Sequence, residues 1–211
     1  MKRIWVVIFL IFFPTILFSQ WSFVGSVSGG ISEIENDFTK PYRNNKGKMG
    51  ADLSVAVRYS IWKFYVSSGV GYQAFKSESG YVFNSNINGY KNLHPEFSYS
   101  NIYIPVTIGF IYDRWRVYPI AETGVHVGFP VSLEDRLEIS PTVTTKHGEA
   151  RLTVIGFMLQ AGAGFALSER FAIEAKFRYF SSENTSNFQG YKSTWQYIGG
   201  QVSFIVKFDS Y

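Results

Sequence analysis

The chain has 211 residues, with 20 Lys and Arg against 16 Asp and Glu for a formal charge of +4, and 18% of it is aromatic. Cysteine is absent, which excludes a disulfide framework, thiolate chemistry, sulfur-ligated metal and a lipid-modified N-terminal cysteine. The length suits one domain, and the near-balanced charge carries no footprint for nucleic acid.

Lys2 and Arg3 precede an apolar run from Ile4 to Phe13, a break at Pro14 and the small Ser19 before Gln20. This order predicts a secretory signal peptide over residues 1–19 and an exported domain over 20–211. A spanning helix needs about 20 apolar residues. The run to Phe18 falls short of that and leads directly into a strand pattern. Without Lys2 and Arg3 the exported part holds 18 basic and 16 acidic residues.

Alternation of apolar and polar residues then predicts eight strands: Trp21 to Ser32, Met49 to Tyr59, Trp62 to Lys76, Ser98 to Tyr112, Trp115 to Pro130, Arg151 to Leu167, Phe171 to Ser181 and Thr194 to Phe208. Three connections are tight, at Ser60-Ile61, Asp113-Arg114 and Ser168-Glu169-Arg170. Four are long, at Ile34 to Lys48, Ser77 to Phe97, Val131 to Ala150 and Ser182 to Ser193. Short turns at one end and long loops at the other are the asymmetry of an outer-membrane barrel, whose strands need about 9 to 11 residues to cross.

The last strand places Ile198, Val202, Phe204, Val206 and Phe208 on one face and Tyr197, Gly199, Gln201, Ser203 and Lys207 on the other. In the seventh, Phe171, Ile173, Ala175, Phe177 and Tyr179 oppose Glu174, Lys176 and Arg178. An Arg or Lys facing lipid at mid-depth costs about 2–4 kcal/mol, so these charges point inward. The fourth strand sends Ile102, Ile104, Val106, Ile108 and Phe110 to lipid and Asn101, Tyr103, Thr107 and Gly109 to the lumen. Pro105 lies on the lumen side and is expected at a bulge.

A soluble barrel with an apolar interior would alternate equally well. Three features weigh against it. The polar face is rich in glycine, at Gly69, Gly71, Gly109, Gly124, Gly162, Gly164 and Gly199, which suits a crowded, curved interior. Trp21, Tyr59, Trp62, Tyr72, Tyr112, Trp115, Tyr179 and Trp195 collect near segment ends as an interfacial belt. The leader directs the chain to the envelope. The reading is an all-β, eight-stranded, antiparallel, up-and-down transmembrane barrel in the outer membrane of a Gram-negative bacterium.

The stretch Ile104-Pro105-Val106-Thr107-Ile108-Gly109-Phe110, followed by a turn, Val117-Tyr118-Pro119 and Ala121-Glu122-Thr123-Gly124, resembles the PorT-like small outer-membrane barrels of Bacteroidota. The resemblance covers most of the exported chain, including the leader ending in Ser19-Gln20, and its motifs mark architecture. By analogy it implies a role in type IX secretion and gliding machinery. It brings no functional residue, because the pattern contains none.

Asp52, Arg58, Lys63, Arg116, Glu122, His126, Glu174, Lys176, Arg178 and Lys207 are expected inside the barrel. They form a mixed-sign set that should pair into a structural network. Tyr65, Gln73, Tyr103, Tyr118, Gln160 and Tyr197 add bulk, and eight strands enclose just enough room for side chains to fill. Glu122 and His126, four apart on one strand face, are too distant for a direct pair, and a metal there would need ligands from other strands. His94 and His147 fall in loops. A lipid A deacylase of barrel type places Ser two residues after His, whereas here His126-Val127-Gly128 lacks the nucleophile.

In the loops, Lys40, Arg43, Lys46 and Lys48 crowd the first, a basic segment able to meet lipopolysaccharide phosphates. Tyr81, Phe83 and Tyr90 mix with Asn84, Asn86, Asn88 and Asn92 in the second. The functional expectation is a non-enzymatic structural or interaction protein with a lumen plugged by side chains. No catalytic residue, cofactor or metal is assigned. Its expected partners are outer-membrane lipid and lipopolysaccharide, the barrel-assembly machinery during insertion and an envelope protein. The rivals are a secretion or gliding subunit, a narrow channel and a lipid-modifying enzyme.

Overall fold

The computed structural model describes residues 19–36, 45–79, 96–112, 115–139, 142–148, 153–185 and 192–208. The described chain is all strand and turn, with β1 Ser19–Asn36, β2 Asn45–Ile61, β3 Phe64–Ser79, β4 Glu96–Ile111, β5 Val117–Ile139, β6 Thr142–Gly148, β7 Val154–Ala166, β8 Phe171–Thr185 and β9 Lys192–Lys207. Each strand pairs antiparallel with its neighbours. β1 joins β9, and β4 joins β5, so eight strands close on themselves without an edge.

β6 stands outside that ring. It pairs only with the distal part of β5, from Leu133↔Gly148 to Ile139↔Thr142. The segment expected as a loop from Val131 to Ala150 therefore contains the end of β5 and a returning strand. Two consecutive strands of one hairpin can extend beyond the wall because they satisfy each other's backbone groups. The leader, Lys40, Arg43, His94, Asp113, Arg114 and the aromatic and Asn residues of the second loop lie outside the described residues.

Burial follows the alternation, but in the sense opposite to a soluble barrel. Val27, Ile31, Leu53, Val57, Ile104, Val106, Ile108, Phe157, Phe177, Val202 and Phe204 are exposed, while Asp52, Arg58, Gln73, Asn101, Glu174 and Arg178 are buried. Water would not stabilise such an exterior, and hydrocarbon does. The protein is an eight-stranded antiparallel barrel of the outer-membrane type.

Two local expectations need correction. Pro105 marks no bulge: Ser68↔Val106 and Gly71↔Tyr103 keep one register on either side of it. The missing amide removes a ladder bond without adding a residue. The register shift on β4 lies between Ser100, opposite Ser132, and Asn101, opposite Pro130. Val131 is the residue left over, beside a proline that cannot continue the ladder. Trp195 does not join the outer belt either. It is 3% exposed and packs edge-to-face on Tyr99 inside the barrel, because it shares the inward parity of Tyr197 and Gln201.

The tight connections are built locally. The first turn is Trp62-Lys63, two residues beyond the expected Ser60-Ile61, and closes the pair Ile61↔Phe64. The third is held by Ser168, whose amide donates to the Phe171 carbonyl at 3.1 Å while its Oγ accepts from the Phe171 amide at 3.1 Å.

Candidate functional site: the lumen

The interior is assembled from inward residues of every wall strand, and its charges form two groups. In the lower group, nearer the short turns, Arg58 of β2 donates twice to Glu174 of β8, at 2.6 and 2.9 Å. Lys176, two residues along β8, approaches Glu174 at 3.6 Å and donates to Glu122 of β5 at 2.9 Å. Glu122 also accepts from the Tyr65 hydroxyl of β3 at 2.9 Å, and the Arg58 guanidinium lies 4.2 Å from the Tyr65 ring centroid. Arg58, Glu174, Lys176, Glu122 and Tyr65 thus close a ring of contacts across the barrel. The bidentate geometry is the strong form of an arginine–carboxylate pair.

In the upper group Arg178 donates to Asp52 at 2.6 Å and to the Tyr103 hydroxyl at 3.3 Å. Taken together, three buried cations face three buried anions. Low-dielectric surroundings make an unpaired charge costly, so balance is a condition for folding here.

Glycine is required where rings lie on the wall. A Cβ at Gly109 would overlap the Tyr65 ring, and one at Gly164 would overlap that of Tyr118. Each tyrosine lies across the glycine opposite it in register, Tyr65↔Gly109 and Tyr118↔Gly164. This flattening holds the Tyr65 hydroxyl at Glu122.

Of the ten residues expected in the network, Asp52, Arg58, Glu122, Glu174, Lys176 and Arg178 make these pairs. His126 is fully buried but ion-pairs with none of them. Its ring stacks on Phe180 with centroids 4.0 Å apart, and neither nitrogen has a hydrogen-bond partner among the described residues. Lys63, Arg116 and Lys207 take no part in these pairs. They sit at the turn end, with Lys63 in a turn, Arg116 exposed before β5 begins, and Lys207 at the last position of β9. Lys207 still pairs with Ser22 and keeps the inward parity of Ser203 and Ile205. Lys63 and Lys207 line a vestibule of about 150 Å³ at that end, which Arg58 also lines.

Two apolar clusters flank the charged section, and apart from Tyr118 and Tyr197 their members were not expected in a polar lumen. Toward the loops, Phe75, Tyr99, Val154, Phe180, Trp195 and Tyr197 pack together. Toward the turns, Val24, Tyr118, Ala172 and Ile205 do the same. A sequence signal exists. Phe23-Val24, Tyr179-Phe180 and Phe204-Ile205 put apolar residues side by side, so both faces are apolar at those points. Among the described residues no three His, Asp or Glu side chains converge as a metal site.

No family model matches the chain, and no curated protein matches it. Among solved structures it is similar to a major outer membrane protein from Thermus thermophilus, with 12% identity over 90% of this chain and 99% of that one and a TM-score of 0.48. It is similar to Neisserial surface protein A at 13% identity, covering 89% and 97% with a TM-score of 0.46. Ail, the attachment invasion locus protein of Yersinia pestis, aligns at 15% identity over 87% and 98%, with a TM-score of 0.36.

Proposed function

We propose that this barrel is a closed, non-enzymatic anchor in the outer membrane of a Gram-negative bacterium, and that its loops or turns dock an envelope partner. The observation that carries this reading is the order of layers in the lumen. A balanced ion-pair section lies between an apolar cluster toward the loops and one toward the turns, which supports a lumen filled by side chains and not an open pore. His126 also speaks against a lipid-modifying role, since its nitrogens have no hydrogen-bond partner among the described residues that could serve as nucleophile or orienting group. Lipopolysaccharide at the basic first loop and the assembly machinery during insertion complete the proposed set of partners.

Planar-bilayer recording tests the closed lumen. The wild type is expected to be silent, and Arg58→Ala with Glu174→Ala should stay silent because both apolar plugs remain. Discrete conductance steps from the wild type would refute the anchor reading and support a channel.

A second reading, a subunit of a type IX-like secretion or gliding machine, is supported by the motif on β4 and β5. Its two halves are hydrogen-bonded neighbours, with Ile108↔Thr123 and Phe110↔Ala121. Deleting the gene is then expected to strand exported cargo in the periplasm, and normal secretion in the deletion strain would exclude this role.

A further inference from the structure

The outer wall is not uniformly bulky. Read across paired strands, one row of outward residues runs Phe64, Phe110, Ala121, Ala161 and Phe177. The adjacent row toward the turns runs Pro119, Ala163 and Ala175. The alanines floor a dip between Phe110 and Phe177. This dip belongs to an outer groove of about 580 Å³ whose lining includes Phe64, Ile108, Phe110, Ala121, Leu159 and Ala161.

Directly below the groove, at the short-turn rim, two neighbouring connections meet because β3 pairs with β4. Lys63 Nζ lies 4.6 Å from the centroid of Trp62 and 4.8 Å from that of Tyr112. Tyr112 in turn packs edge-to-face on Trp115 at 5.6 Å. Trp62, Lys63, Tyr112 and Trp115 are therefore one continuous array, and Arg116 follows it with its guanidinium 5.0 Å from the centroid of Phe165, an outward residue of β7 on the same strand as Ala161 and Ala163. Lys63 and Arg116 have no carboxylate partner among the described residues.

Trp62 adds an independent observation. Its φ is 56°, a left-handed conformation that favours glycine, and its side chain is 71% exposed. A glycine would close this turn with less strain. Strained positions that persist at exposed tips are associated with a task for the side chain.

We propose that the rim and groove together bind one phospholipid with an anionic headgroup, drawn from the leaflet at the short-turn end. Its phosphate would lie on Lys63 and Arg116 between the indoles of Trp62 and Trp115. Its acyl chain would run along Ala121 and Ala161. Charge complementarity selects this occupant. Cations at the rim make charge-assisted bonds to phosphate, and indole rings favour the headgroup level. A second copy of the barrel would cover the alanines but leave the cations without a role. The proposal rests on the membrane-spanning wall and is independent of whether the lumen conducts.

The test is native mass spectrometry of delipidated, refolded protein titrated with phosphatidylglycerol or with phosphatidylcholine. Folding of each variant is checked by heat-modifiable gel mobility. One phosphatidylglycerol per barrel is expected, bound about tenfold or more tighter than phosphatidylcholine, as two basic side chains near the headgroups would give. Lys63→Gln with Arg116→Gln should abolish that preference. Ala161→Phe, on the lipid-facing wall, should weaken both lipids and keep their ratio. Equal affinities in the wild type, or affinities that neither folded variant changes, would overturn the proposal. A wild-type dimer that Ala161→Phe dissolves without any change in lipid binding would overturn it in favour of self-association.

Discussion

Replacing Glu174 by alanine is expected to destabilise the barrel by about 3–5 kcal/mol, the cost of leaving a buried charge without its partner. Glu174 has no exposed surface and accepts two bonds from Arg58 while lying 3.6 Å from Lys176. Removing it leaves Arg58 with no counter-ion in direct contact and leaves Lys176 with Glu122 alone. Urea unfolding in lipid vesicles, followed by tryptophan fluorescence, measures the loss. The paired replacement Arg58→Met with Glu174→Met is expected to recover most of it, since apolar side chains of similar volume substitute well for a buried ion pair. If the single variant matched the wild type, the lower charge ring would be wet and the closed-lumen reading would fail with it.

Phe180→Ala is expected to cost about 3–5 kcal/mol by a different mechanism, loss of transfer energy together with a cavity the barrel wall cannot collapse to fill. Phe180 is the centre of the upper plug. It lies 5.8 Å from the Phe75 ring and stacks on His126, and all three are held on separate hydrogen-bonded strands. The wall is fixed by its ladder, so the hole remains. Phe180→Leu, which keeps most of the volume, should lose far less in the same unfolding assay. Equal losses for the alanine and leucine variants would mean that the aromatic stack, and not the filled volume, carries the plug.

Much of the architecture was legible before any coordinates. Period two assigns every residue of a strand to one of two faces, and the cost of charge in hydrocarbon says which face is inside. That is why Glu174, Lys176 and Arg178 could be placed in the lumen and Phe177 on the wall from β8 alone. The same reasoning failed where its premise stopped. Arg116 stands exposed before the β5 ladder begins, and Trp195 has the residue type of an interfacial belt but the parity of the lumen. The extension of β5 with β6 escaped because its alternation is weak and it reads as loop composition.

Local periodicity and the energetics of burying charge are enough to give the eight wall strands, their faces and the lipid-facing character of the wall. Which charges meet depends on how the strands close. Arg58 and Glu174 stand 116 residues apart on strands that share no ladder, and Asp52 and Arg178 stand 126 apart. Parity says that each faces inward but is silent on height, and height is set by the stagger of every strand against its neighbours as the barrel closes. The apolar plugs were decided the same way. An inward Val24 or Phe180 is only an irregularity in its own strand, and becomes part of a seal when closure brings Ile205 or Phe75 to the same level.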